Sequence, residues 1–172
     1  MKKKIIFILI FFLISIPSFS NEKIVYLDVE KIMQESTAGK SIINQLKKKR
    51  ENSISEFKKR EKDMFEKEKK LISQKNLLND EDFKKKLKDL RSDISNYQKD
   101  RNKVSNEITQ KRIKATRNLI KKLTPILEEY SKKNSIRIIV QKKHIVMGSK
   151  EDDITNDILD LVNKKVKSIK VD

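Results

Sequence analysis

At 172 residues, the chain has room for one domain, or for one small core with an appendage. Hydrophobic residues make up 36% and charged residues 39%, too lean for an ordinary globule but normal for an exposed coiled coil. The net charge is +17 and there is no cysteine, which excludes disulfides and thiol chemistry.

The first twenty residues read as a secretory signal peptide. Lys2, Lys3 and Lys4 form a positive start, Ile5 to Ile16 is a twelve-residue apolar run, and Ser18 and Ser20 are the small residues of a cleavage site before Asn21. As a helix, that apolar run would span only about 18 Å against a bilayer core of about 30 Å. The mature product is therefore expected to be residues 21–172, soluble and exported. With no cysteine at the junction, no lipid anchor is expected there.

Residues 23–29 are β-branched and apolar and predict a largely buried strand, followed by one or two helical turns from Val29 to Gln34. Glu35 to Lys40, with Gly39, predicts a break, after which Ser41 can cap a helix beginning at Ile42. From there to Lys133 the pattern is helical. Ile43, Phe57, Met64, Leu71 and Leu78 share a seven-residue grid on which Arg50 fills the remaining point. Phe83, Leu87, Leu90, Ile94, Tyr97, Arg101, Val104 and Ile108 then step by four and three, an a/d seam broken by Arg101. Disorder, which this charge content would permit, is opposed by the sustained heptad. Asn79 to Asp82 supplies a turn and an N-cap between the limbs, so residues 42–133 predict a long antiparallel helical hairpin. Pro125 predicts a kink or a restart of the second limb, with Thr124 as its cap.

Ile136 to Val140 predicts a second strand and His144 to Met147 a third, joined tightly through Gln141–Lys143. Asp152 or Asp153 can cap a final helix in which Ile154, Ile158, Leu161, Val162 and Val166 share a face. The expected organisation is a β-rich body from residues 21–41 and 134–172, with residues 42–133 as an arm. A body of that size buries too little surface to be comfortable alone, and an oligomer with a shared β core is expected. The arm holds 28 Lys and Arg against 15 Asp and Glu, so nearly all of the positive field lies on one element. Individual lysines read as a solvated helix face, but such an excess implies an acidic partner or anionic surface.

Three stretches carry a family resemblance: Lys23–Met33 (KIVYLDVEKIM) behind an export signal, Ile136–Val140 (IRIIV) with Asp153-Ile154-Thr155 and Ile158-Leu159, and Tyr97–Glu107 (YQKDRNKVSNE). Taken in chain order and over the whole mature length, the sequence resembles the Skp/OmpH periplasmic chaperones. The resemblance implies a mainly α protein with a small β body, in which a coiled-coil hairpin arm projects from a trimeric β-barrel. It also implies an ATP-independent holdase that keeps unfolded outer-membrane β-barrel proteins in a cavity between its arms. Weak contact with anionic lipid or lipopolysaccharide belongs to the family too. Of that patch Lys103 alone keeps its basic character, since Asp93 and Val104 stand at the other aligned positions.

Catalysis is a poor match to these residues. His144 is the single histidine, beside a turn, and reads as a surface residue. Two glycines cannot build a phosphate-binding loop, and zinc sites of the Cys/His kind lack their ligands. Asp80, Glu81 and Asp82, like Asp152 and Asp153, are explained by helix capping. No catalytic residue, cofactor or metal is therefore expected, and no specific nucleic-acid partner, because no aromatic-basic platform is present. Grip suits the chain better. Phe57, Met64, Phe65, Leu71, Ile72, Phe83 and Tyr97 are the apolar candidates for touching a client. Phe65 and Ile72 lie one step off the grid, where they either face solvent or widen the seam. Lys47, Lys48, Lys84, Lys85, Lys86 and Lys103 are the basic candidates. Ile24, Tyr26, Ile136, Ile138 and Val140 are the candidates for the shared sheet. The reading from another class is an exported structural coiled coil that tethers or spaces envelope components.

Overall fold

The computed structural model describes residues 23–172, so the expected signal peptide lies outside the described residues. Strand β1 (Lys23–Leu27) turns Val25 and Leu27 inward. Asp28 ends it and caps α1 (Val29–Glu35), its carboxylate accepting from the Lys31 N–H at 2.9 Å. Helices α2 (Thr37–Ser73) and α3 (Asp80–Lys133) form the expected hairpin. At 1.5 Å per residue they run about 55 and 80 Å. Asn79 is the N-cap of α3, accepting from the Asp82 N–H at 2.8 Å, and three carboxylates in the first turn suit the helix dipole.

Strand β2 (Ile136–Gln141) lies parallel to β1, which the long helical crossover between them allows. Arg137 is the extra residue of a bulge, because Lys23 pairs with Ile136 but Ile24 pairs with Ile138. That insertion is why Ile136 and Ile139, three apart, both pack on the core. On its other side β1 meets the chain again, where the Ile154 N–H donates to the Tyr26 carbonyl at 3.0 Å. Helix α4 (Thr155–Lys165) then lays Ile158 and Val162 under the sheet, both fully buried. They share this core with Ile32, Leu123 and Ile126, so the base is held by helix-on-sheet burial, at about 1.5–3 kcal/mol for each large apolar side chain. A two-stranded sheet alone would be marginal.

Three expectations are corrected. First, α2 begins at Thr37, not Ile42: Ser36 is the cap, accepting from the Gly39 N–H at 3.0 Å, and Ser41 lies inside the helix. Gly39 marks a close approach and not a break. A Cβ on it would stand 2.0 Å from the Met33 carbonyl oxygen. Second, α3 passes through Pro125 without a restart, and the Thr124 hydroxyl donates to the Ile120 carbonyl at 3.1 Å instead of capping. Pro125 is on the exposed side, where water can take the carbonyl its ring leaves without an N–H. Third, no third strand forms among the described residues. Lys142–His144 is a 3-10 turn, and Val146 and Met147 project fully into solvent because one chain offers them no neighbouring edge. The final helix has the expected apolar face, but Ile154 and neither Asp152 nor Asp153 is at its N-cap; Asp153, one residue ahead, accepts from the Thr155 N–H at 3.0 Å.

Two predictions come from this packing. In an open helix Ala would be preferred to Gly by about 1 kcal/mol. At position 39 the clash reverses the sign, and Gly39→Ala is expected to lower stability by about 1–3 kcal/mol in thermal or urea unfolding. The second concerns acid. Burial by itself raises the Asp153 pKa, but the Thr155 hydroxyl and amide and the Lys142 ammonium outweigh it and hold the carboxyl below its ordinary 3.8. A depressed folded pKa gives stability that is present above the unfolded value and lost as pH falls through the folded one. Asp153→Ala should therefore flatten the acid limb of the stability profile below about pH 4. At neutral pH it should cost about 1–3 kcal/mol, because the buried Thr155 amide loses its acceptor.

Candidate functional site

Two surfaces stand out, the length of the hairpin and the outer side of the small sheet. Along the hairpin, α2 turns Phe57, Arg60, Met64 and Leu71 toward α3, and Leu78, in the connection after it, is half-buried. Helix α3 answers with Phe83, Leu87, Leu90, Tyr97, Val104 and Ile108. Two expected seam positions differ. Ile94 is 42% exposed and Arg101 is exposed, while their predecessors Asp93 and Asp100 turn inward. Between Leu90 and Val104 the inward positions step by three and then four, in place of four and then three, and the grid resumes at Val104 and Ile108. There Arg60 meets Asp100 at 2.8 Å and Lys67 meets Asp93 at 2.6 Å. The hydrogen bond to Asp93, with its charge, holds the Lys67 pKa above the usual lysine value. Both pairs are half-exposed, so they fix the register of the limbs more than they stabilise them.

An aromatic clasp is built around the Arg60–Asp100 pair. The Tyr97 ring, almost fully buried, meets Phe57 edge to face at 5.7 Å and 85°. Arg60 lies over both rings and Arg101 over Tyr97, each within 6 Å. Sequence periodicity alone placed Phe57 and Tyr97 on the seam, but the guanidinium partners depend on how the two limbs align.

The client candidates divide accordingly. Leu71 and Tyr97 are buried and Phe57, Met64 and Phe83 are half-buried, all between the limbs. Phe65 and Ile72 face solvent, at 61 and 66% exposure. Sequence reasoning missed Ile54, exposed at 47%. It lies eighteen residues before Ile72, five full helical turns, so the three form one outer stripe on α2. It also missed Leu77 at the hairpin tip, 84% exposed. Lys47, Lys48, Lys84, Lys85, Lys86 and Lys103 are all exposed. Lys47 reaches Glu51 at 3.9 Å and Lys86 reaches Gln74 at 3.4 Å. Ile43, assigned to the seam grid, is 43% exposed because its neighbour Ile42 takes the inward position. With Val29, Met33, Leu46, Ile108 and Ile120 it lines a groove of about 890 Å³ at the arm root, where Lys47, Arg50 and Arg112 add positive charge.

On the sheet, Ile24 and Ile138 are register partners on the outer face, exposed at 59 and 44%. Val140 is half-buried on the same face. Tyr26 is covered by its own chain, since Gly148 packs on the ring, the hydroxyl donates to the Ser149 carbonyl at 3.0 Å, and Lys142 lies over the ring. Ile136 turns to the core. His144 is exposed on its 3-10 turn. Among the described residues no cluster of acidic and histidine side chains could hold a metal ion, and no helix is long and apolar enough to cross a membrane.

A small helix-on-sheet base with a long basic hairpin defines an arm-bearing protein whose distinctive surface is elongated and made for contact. The family model for OmpH-like outer membrane proteins matches residues 23–162, the greater part of the chain, and the protein belongs to that family. Its fold is similar to that of a Caulobacter crescentus CB15 protein described as an OmpH-like outer membrane chaperone, with a TM-score of 0.81 at 13% sequence identity, covering 88% of this chain and 89% of that one. No curated protein matches the sequence.

The clasp yields a prediction. Tyr97→Ala should cost about 3 kcal/mol or more by opening a cavity against Phe57. Amide exchange should quicken along the arm on both limbs while the α4 core stays protected. Phe65→Ala, on the outer stripe, should change stability by less than about 0.5 kcal/mol.

Proposed function

We propose that the protein is an ATP-independent holdase that binds unfolded outer-membrane β-barrel proteins in the periplasm and keeps them from aggregating. The observation that carries this reading is the coincidence, on one projecting hairpin, of a large basic excess with solvent-facing Ile54, Phe65, Ile72 and Leu77. The fold likeness to a protein described as an OmpH-like outer membrane chaperone supports it, as does the export signal expected at residues 1–20.

The working form is a homotrimer in which three small sheets close a shared β body and three arms surround a cavity. Support comes from the exposed Ile24 and Ile138 on the outer sheet face and from the apolar Val146 and Met147 beside it. The arm, residues 42–133, grips, and the body, from residues 21–41 and 134–172, assembles. Lysines draw an acidic unfolded chain in over roughly a Debye length, about 8–10 Å at physiological salt. Scattered apolar side chains then hold it through many weak contacts, each easily broken. Multivalency makes the sum tight while leaving every segment free to depart. Phe65 and Ile72 are the foremost apolar contacts, and Lys48, Lys84, Lys85, Lys86 and Lys103 the basic ones. Contact with anionic lipid or lipopolysaccharide is weak and rests on the same field.

Native mass measurement tests this directly. The mature protein is expected as a trimer that takes up one unfolded outer-membrane barrel protein and suppresses its aggregation. Reversing the charge at Lys84, Lys85 and Lys86 with glutamate should weaken uptake severalfold and leave assembly intact. Ile138→Asp should dissolve the trimer. A monomer that ignores the unfolded barrel protein overturns the reading.

A further inference from the structure

The last seven residues form no helix or strand, yet Ile169 and Val171 are almost fully buried while Ser168, Lys170 and Asp172 are exposed. This alternation of period two is that of an extended chain. The two side chains sit at the arm root on Ala38, Ile42, Ala115 and Leu119. Alanines from α2 and α3 leave room for the backbone to come close. The side chain of Gln45 meets that backbone from one side. Its Nε2 donates to the Ile169 carbonyl at 2.8 Å, and its Oε1 accepts from the Val171 N–H at 3.1 Å. The amide is steadied by a bond from the same Nε2 to the Ser41 hydroxyl at 3.0 Å. One glutamine thus supplies the donor and acceptor that a neighbouring β-strand would offer. The family match ends at residue 162, before this tail begins.

We propose that the arm root is a binding site for extended peptide segments with apolar side chains two residues apart, and that the chain's own tail occupies it as a displaceable stand-in. Recognition of backbone by Gln45 is indifferent to sequence, and the two apolar seats require only alternation. Strands of outer-membrane barrels alternate in this way, apolar on every second residue. The occupant is therefore a strand segment of the unfolded client, which rests on the holdase reading above. A tethered tail competes at an effective concentration on the order of millimolar, so weak segments are refused and well-matched ones enter. The site lies where the arms leave the base, so an exchanged client would be anchored at the closed end of the cavity.

The test uses the full chain, its Val171→Asp variant and a fluorescent peptide with the sequence of residues 167–172. Releasing the tail should tighten peptide binding by about tenfold or more, in proportion to the competition removed. Adding Gln45→Ala should abolish the gain. A control peptide carrying Ser in place of both Ile169 and Val171 should not bind. Equal binding by parent and variant, both with native helicity, overturns the proposal, and so does equal binding of the control peptide. If Val171→Asp loses its helicity, the parent chain decides. Excess peptide should then accelerate exchange of the Val171 amide, and an unchanged rate overturns the proposal. Suppression of barrel-protein aggregation is measured separately, so that peptide binding without suppression leaves the groove and removes the holdase, and suppression without peptide binding does the reverse.

Discussion

The pairing of α2 with α3 is the contact on which the rest of this molecule depends. Two helices side by side have one narrow strip to share, and water reaches both edges of it. Such a strip cannot be wholly apolar without leaving apolar flanks exposed, so this one alternates Phe57, Met64, Leu71, Leu90 and Tyr97 with the Arg60–Asp100 and Lys67–Asp93 pairs. The pairs contribute little energy at that exposure, but a slip of one heptad would break at least one of the two. At the root the packing is apolar and close, through Ala38, Ile42, Ala115 and Leu119.

The base is assembled from the two ends of the described chain, with the arm inserted between them. β1 is the meeting point: β2 pairs along one side, Ile154 bonds to it on the other, and α4 seals the face. The parallel pairing of β1 and β2 follows from this insertion, since a short hairpin could not have produced it. A long excursion costs surprisingly little in closure entropy because that cost grows only with the logarithm of length. An extended arm is therefore compatible with a small core, provided that the arm's own seam holds.

Grip by such a surface differs in kind from grip by a pocket. The exposed apolar side chains are few and separated by charge, so no single contact immobilises what it touches. The arm-root tail adds the opposite character, two seats and one amide in fixed geometry. Under the proposed holdase function, the first would serve capture and the second orientation.

The helices were legible from the order of residues, and so was the family. Heptad spacing, the Asn79 cap and the apolar face of α4 are local signals that need no neighbour to be read. What lay beyond reach depended on distant partners. Gly39 looks like a break until the Met33 carbonyl is placed against it. His144 to Met147 has strand composition but finds no edge to join in this chain, and Pro125 is tolerated because its side of α3 is wet. Phe65 could have widened the seam or faced water, and the azimuth that decides between these belongs to the packed pair. The tail after α4 alternates apolar and charged residues only from Ile169 to Asp172, too short a run to announce its burial, which is set by alanines on two other helices. Periodicity is a property of the sequence, whereas burial and close approach are properties of the neighbours, and these only the tertiary structure supplies.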